Sequence, residues 1–131
     1  MTAGHDILLP AATAVNGGMH IKVIIGIPQT AAFAIGPASG SLLVGAATFI
    51  GDATAGITTG NPALVQSLVA TANKSVALDG NATAKGGDAG TILDFLYTGV
   101  ADRIVFSGAV TADVENPSGA SFFSTSQVAM T

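Results

Sequence analysis

Hydrophobic residues recur with a period of two in several stretches, and the ribbon from Gly90 to Gly108, GTILDFLYTGVADRIVFSG, holds three of the aromatic ones, Phe95, Tyr97 and Phe106. Leu93, Phe95 and Tyr97 alternate with Ile92, Asp94 and Leu96, and Ile104 and Phe106 alternate with Arg103, Val105 and Ser107. Successive side chains of a strand point to opposite faces, so this pattern predicts two strands. Thr98 to Asp102 between them is short enough to close a hairpin. The same period runs from Met19 to Ile27: Met19, Ile21, Val23, Ile25 and Ile27 share one face, and His20, Lys22, Ile24 and Gly26 the other. Asn16-Gly17-Gly18 turns the chain into this strand and Pro28-Gln29-Thr30 breaks it.

Shorter apolar runs fill the rest. Ile7 to Leu9 is a strand stopped by Pro10, which cannot donate to a ladder. Ala31 to Ile35 is a strand, Gly36 to Ser41 a loop, and Leu42 to Ile50 a strand in which Gly45 marks a bulge or a close backbone approach. Gly51 to Asn61 reads as a loop. Asn61 to Ala70 fits two readings. Asn61 as N-cap, Pro62 at the first helical position and apolar residues at 64, 65, 68 and 69 suit a helix. The same residues suit a strand from Leu64 to Thr71 turning at Asn73-Lys74 into Ser75 to Leu78, and the β-rich surroundings favour the strand. Asp79-Gly80-Asn81 and Gly86-Gly87-Asp88 enclose a polar loop. Ala109 to Val114 and Ser121 to Ser124 add short strands around a turn at Asn116-Pro117-Ser118-Gly119. The total, about eight to ten strands with frequent turns, predicts an all-β single domain spanning 1–131: a β-sandwich, jelly roll or barrel with long Gly/Ala/Thr loops and little or no helix. Residues 1–6 read as a mobile arm and residues 124–131 as a tail.

Composition changes this picture in one respect. Only 9% of residues are charged while 49% are hydrophobic, against about 25% charged in an ordinary soluble domain. The mean hydropathy is +0.61. Disorder is excluded, since it goes with low hydrophobicity and high net charge. The composition suits a chain that hides much of its surface against neighbours. A net charge of −4 with scattered Lys22, Lys74, Lys85 and Arg103 gives no phosphate-tracking stripe and argues against nucleic acid. The uncharged run from Val23 to Gly51 is long enough to span a bilayer, but Pro28, Pro37 and the glycines around them would break a spanning helix. The run therefore reads as strands and turns, with no membrane partner. The N-terminus lacks a basic n-region and Ile7-Leu8-Leu9 is too short an h-region, so no signal peptide is expected. Zero Cys excludes disulfides and thiolate metal sites.

Candidate chemistry is sparse. His5 and His20 could join many Ser and Asp residues in a triad, but no G-x-S-x-G elbow supports one. Asp79, Asn81 and Asp88 lack the acidic density of a calcium loop and read as turn residues. Asp113 and Glu115 share one strand face with nothing to separate their acidities, unlike a glycosidase pair. Gly86-Gly87-Asp88-Ala89-Gly90 has neither the Lys nor the following helix of a phosphate loop. No catalytic, cofactor-binding or metal residues are therefore assigned, and the chain is not expected to be an enzyme or to need a cofactor. Asp94 and Arg103, each interrupting an apolar strand of the ribbon, suggest an ion pair, across strands or between subunits, or charges that block edge-to-edge aggregation.

Three pieces in order carry a resemblance: Leu8-Leu9-Pro10 followed by Asn16-Gly17-Gly18-Met19; Leu78-Asp79-Gly80-Asn81-Ala82-Thr83 with Gly86-Gly87; and Ala89-Gly90-Thr91-Ile92-Leu93-Asp94-Phe95 leading to Arg103-Ile104-Val105-Phe106-Ser107-Gly108. Together they resemble the head decoration (capsid cement) proteins of tailed bacteriophages, of the marine and cyanobacterial phage type. Where such proteins often carry a Trp before the Ser-Gly, this chain has Phe106 and no Trp. The resemblance implies a structural virion protein on the capsid surface, a homotrimer or other homo-oligomer bound to the major capsid protein and stabilising the shell. The arm and the tail are the segments expected to reach a neighbour. The alternative is a tail-fibre or carbohydrate-binding β module, for which only Tyr97, Phe122 and Phe123 could stack on a sugar.

Overall fold

The structure is a computed structural model that describes residues 6–27, 29, 31–38, 40–51, 65–78, 86–112, 123, 124, 126 and 128. Nine strands form among them: β1 (Ile7–Leu9), β2 (His20–Ile24), β3 (Phe33–Pro37), β4 (Leu42–Gly51), β5 (Val65–Asn73), β6 (Ser75–Leu78), β7 (Ile92–Tyr97), β8 (Arg103–Ala112) and β9 (Phe123–Ser124), with a single 3-10 turn at Ala14–Asn16. The larger sheet has the order β2-β7-β8-β4-β5 and the smaller one β1-β3-β6-β9. Both are mixed, since β4 runs parallel to β8 and β1 parallel to β3. The chain is an all-β domain, as its alternating pattern requires.

The ribbon lies at the middle of the larger sheet. Leu93, Phe95, Tyr97, Ile104, Phe106 and Val110 on its inner face are all but fully buried, together with Leu43 and Ala47 of β4. Leu9, Ile35, Val76 and Leu78 of the smaller sheet meet them in one hydrophobic cluster, so the inner faces of the two sheets share a core. Phe106 stands between Phe95, with ring centroids 5.3 Å apart, and Phe123 of β9, edge-on at 5.5 Å. Burying such a side chain stabilises by roughly 1.5–3 kcal/mol, which makes this cluster the dominant favourable contribution among the described residues.

Gly45 makes the close backbone approach that its sequence position suggested, and it flanks a bulge carried by β5. A bulge lies between Leu43 and Gly45, where two residues of β5 oppose one of β4. The Gly45 φ is +151°, and a Cβ there would fall on the carbonyl oxygen of Phe106 in the neighbouring parallel strand.

One open reading resolves to the favoured strand, and three expectations shift. Residues 65–73 of the ambiguous segment are strand, and Lys74 carries the chain from the larger sheet into the smaller. The strand after Gly18 ends at Ile24; Ile25 is buried, but Ile27 is exposed instead of completing the inner face. The ladder ends at Ile25, whose backbone bonds Thr91 and Gly90, after which Gln29 turns toward Gly87. Gly36 and Pro37 belong to β3 and not to a loop. Pro37 is tolerated at the strand end because the ladder with β6 has already ended at Ile35, while Ala38 continues the bonding to the Leu9 carbonyl. The segment at 109–112 continues β8 without a break. The short-strand reading at Ser121 to Ser124 holds for Phe123 and Ser124, while 113–122 lie outside the described residues.

Both ends of the described chain are tied down. The Asp6 carboxylate accepts the Ala34 N–H at 2.8 Å, which fixes β1 beside β3. Val128 is buried, and the Ser75 hydroxyl donates to the Ser126 carbonyl at 2.9 Å. Val128 and the Ser126 carbonyl thus contact their own sandwich. Among the described residues no helix is long and apolar enough to cross a membrane.

Candidate functional site

Alternation that sends Phe95 and Phe106 inward sends their neighbours outward, and the register of the larger sheet arranges these in rows. His20, Leu96, Val105 and Val44 form one row; Lys22, Asp94, Ser107 and Ala46 the next; Ile24, Ile92, Ala109 and Thr48 the third. Two largely apolar rows therefore flank a polar one. Ile24, Ile92, Leu96 and Val105 are between 37% and 63% exposed, and Ile50 extends the apolar surface on β4. A concentration of large apolar side chains on one solvent-facing sheet surface marks an interaction site more than scattered ones do.

A shallow depression of about 380 Å³ lies in this face, lined by His20, Asp94, Leu96, Val105 and Ser107. His20 Nε2 and Asp94 Oδ1 are 2.8 Å apart, and Lys22 Nζ is 3.6 Å from the same oxygen. The Asp94 carboxylate thus meets both the His20 ring nitrogen and the Lys22 ammonium of β2. Within the chain, Arg103 is not its cross-strand partner. The hairpin register pairs Asp94 with Ser107, whereas Arg103 lies beyond the Tyr97–Ile104 pair at the loop end. The half-exposed ion pairs contribute little to stability, of order 0–1 kcal/mol each.

The group contains His, Asp and Ser, but its order is wrong for nucleophilic catalysis. In a triad the imidazole stands between the carboxylate and the hydroxyl and bonds both. Here Asp94 on β7 stands between His20 on β2 and Ser107 on β8. The arrangement serves to hold one charge flat on a sheet surface.

A second apolar spot lies at one end of the sandwich, where the 3-10 turn meets the hairpin loop. Gly17 and Gly99 pack so closely that a Cβ on Gly17 would stand 2.9 Å from Gly99 Cα. The Asp102 N–H donates to the Ala12 carbonyl, and the Ala12 N–H to the Ser41 hydroxyl at 2.8 Å. The turn and the loop therefore form one tip, and it carries Val15, 95% exposed, and Val100, 54% exposed. The pattern of alternation could not reveal this site, since neither valine lies in a strand.

Other sequence candidates go elsewhere. Asp88 sits in a turn: its carboxylate accepts the Ala89 N–H at 2.7 Å and its carbonyl the Thr111 hydroxyl at 3.1 Å. His5, Asp79, Asn81, Asp113, Glu115 and Phe122 lie outside the described residues. Among the described residues no three His, Cys, Asp or Glu side chains are gathered as metal ligands. Tyr97 is fully buried and donates its hydroxyl to the Pro10 carbonyl, and burial pushes its phenol above the ordinary value. Phe123 is half-buried against the core. The Tyr97 ring therefore offers no face for stacking on a sugar. No family model matches this chain, and no curated protein or solved structure matches it.

Proposed function

We propose that this protein is a structural component of a tailed-phage particle that binds the outside of the capsid and stabilises the shell, with no catalytic step. The observation that supports this best is where the apolar side chains left over by the core are found. Apart from Ile7 and Ile27, those among the described residues lie on the outer sheet face and on the tip, in a chain with only 9% charged residues. The resemblance to head decoration proteins points the same way. In this reading the tip, with Val15 and Val100 held by the Gly17–Gly99 contact, seats on the major capsid protein, and the segment before Asp6 extends the contact. Binding the assembled lattice and not its free subunits stabilises the lattice by mass action.

The test is co-sedimentation of the full chain with purified capsids. The wild-type chain pellets with capsids and saturates. Burying a valine stabilises by roughly 1.5–3 kcal/mol, so Val15→Asp and Val100→Asp each weaken binding by about tenfold or more. A wild-type chain that stays in the supernatant at every capsid concentration contradicts the proposal.

A further inference from the structure

On the outer face of the larger sheet, β7 and β8 carry the same apolar–polar–apolar order about the line between them. Directly paired across that line are Leu96 with Val105, Asp94 with Ser107, and Ile92 with Ala109. On both strands the order is apolar, polar, apolar. We propose that this face is an interface between two copies of the chain, related by a two-fold axis running along the strands between β7 and β8. That axis exchanges β7 of one copy with β8 of the other. It lays Leu96 over the partner's Val105, Asp94 over the partner's Ser107 and Ile92 over the partner's Ala109.

The charges select this axis. A two-fold axis running across the strands would instead stack Asp94 on the partner's Asp94 and Lys22 on the partner's Lys22, and like charges in an interface are strongly disfavoured. With the axis along the strands, each Asp94 enters the contact already paired with His20 and Lys22. It gains the partner's Ser107 hydroxyl as a donor, so no charge is left unpaired in the contact. His20 and Lys22, on the edge strand β2, fall over the partner's Val44 and Ala46 on β4, each already held beside Asp94. The apolar rows on either side meet apolar rows. A self-complementary patch of this kind is what an isologous contact requires. The interface is distinct from the tip and does not depend on capsid binding.

Sedimentation equilibrium of the full chain, without capsids, tests the contact. The wild type is expected at the mass of two chains. Leu96→Lys and Val105→Asp, both at solvent-facing positions of the single chain, are each expected to raise the dissociation constant at least tenfold while keeping the wild-type circular dichroism. Mixing the two variants is expected to restore a mixed dimer, because the axis sets position 96 of one copy against position 105 of the other. A wild-type monomer overturns the proposal. So does a trimer, which needs a head-to-tail contact, a Leu96→Lys dimer of unchanged affinity, or a mixture that stays monomeric. A dimer that ignores capsids keeps this inference and rejects the capsid reading.

Discussion

The Tyr97 hydroxyl donates to the Pro10 carbonyl oxygen at 2.7 Å, joining the middle of the larger sheet to the end of β1 across 87 residues of chain. Tyr97 is the only tyrosine, and the chain has no tryptophan. Tyr97→Phe keeps the buried ring and removes this bond, which lowers stability by about 0.5–1.5 kcal/mol. Urea denaturation at fixed protein concentration measures the change; an unchanged midpoint would show that the bond contributes nothing net.

The same tyrosine gives a pH signature. Burial raises its pKa in the folded state above the ordinary value of 10.0, so the folded protein holds the phenolic proton more tightly than the unfolded chain. Stability from this group is complete below about pH 10 and is lost as pH rises through the folded value. The wild type should therefore lose stability more steeply above pH 10 than Tyr97→Phe does. Phenolate absorbance should appear only above the unfolded value until the protein opens. Parallel stability curves for the two proteins would contradict this.

Gly45→Ala places a Cβ against the Phe106 carbonyl at a positive φ. The strained backbone alone costs about 1–3 kcal/mol, and the clash between adjacent parallel strands adds to it. A large loss of thermal stability, or no folded protein, is expected. Gly26→Ala is the control, because nothing lies within 4 Å of a Cβ there. A stable Gly45→Ala protein with an unchanged β4–β8 ladder would refute the close approach.

The Thr91 hydroxyl accepts the Thr111 N–H at 3.0 Å at a fully buried position. Thr91→Val fills the same volume but leaves that donor without its partner, at a cost of about 1–3 kcal/mol. Thr91→Ser retains the acceptor and should lose less. Chemical denaturation of both variants checks the order; equal losses would assign the effect to packing alone.

Asp94→Asn removes a carboxylate shared by His20 and Lys22 on a solvent-facing surface. Its effect on the stability of the single chain should be below about 1 kcal/mol and should shrink in concentrated salt, where exposed pairs are screened. Denaturation of the monomeric Leu96→Lys protein with and without this substitution measures it. A loss several times larger would mean that the pair is far less solvated than its exposure indicates.

Much of the fold was legible because alternation records burial directly. Leu93, Phe95, Tyr97, Ile104 and Phe106 read as an inner face and are one, and Gly45 read as a bulge or close approach and is the close approach, beside a bulge of β5. The misread ends have local causes. Ile27 looked like one more inner residue, but the backbone leaves the ladder after Ile25. Pro37 looked like a loop residue, but it ends a strand whose next donor is Ala38. The parallel pairing of β4 with β8 has no local signal, because it joins segments far apart in the chain. Asp94 and Arg103 looked like partners since both interrupt the ribbon. The register that separates them, and gives Asp94 to His20 and Lys22, depends on the placement of β2. The outer apolar rows were present in the alternation as the residues left over once the core was assigned.

The capsid reading is tested most directly by the copy number of this chain relative to the major capsid protein in purified particles. The expected result is a fixed stoichiometric ratio, lost together with shell stability when the chain is absent. A handful of copies per particle, or none, would contradict it.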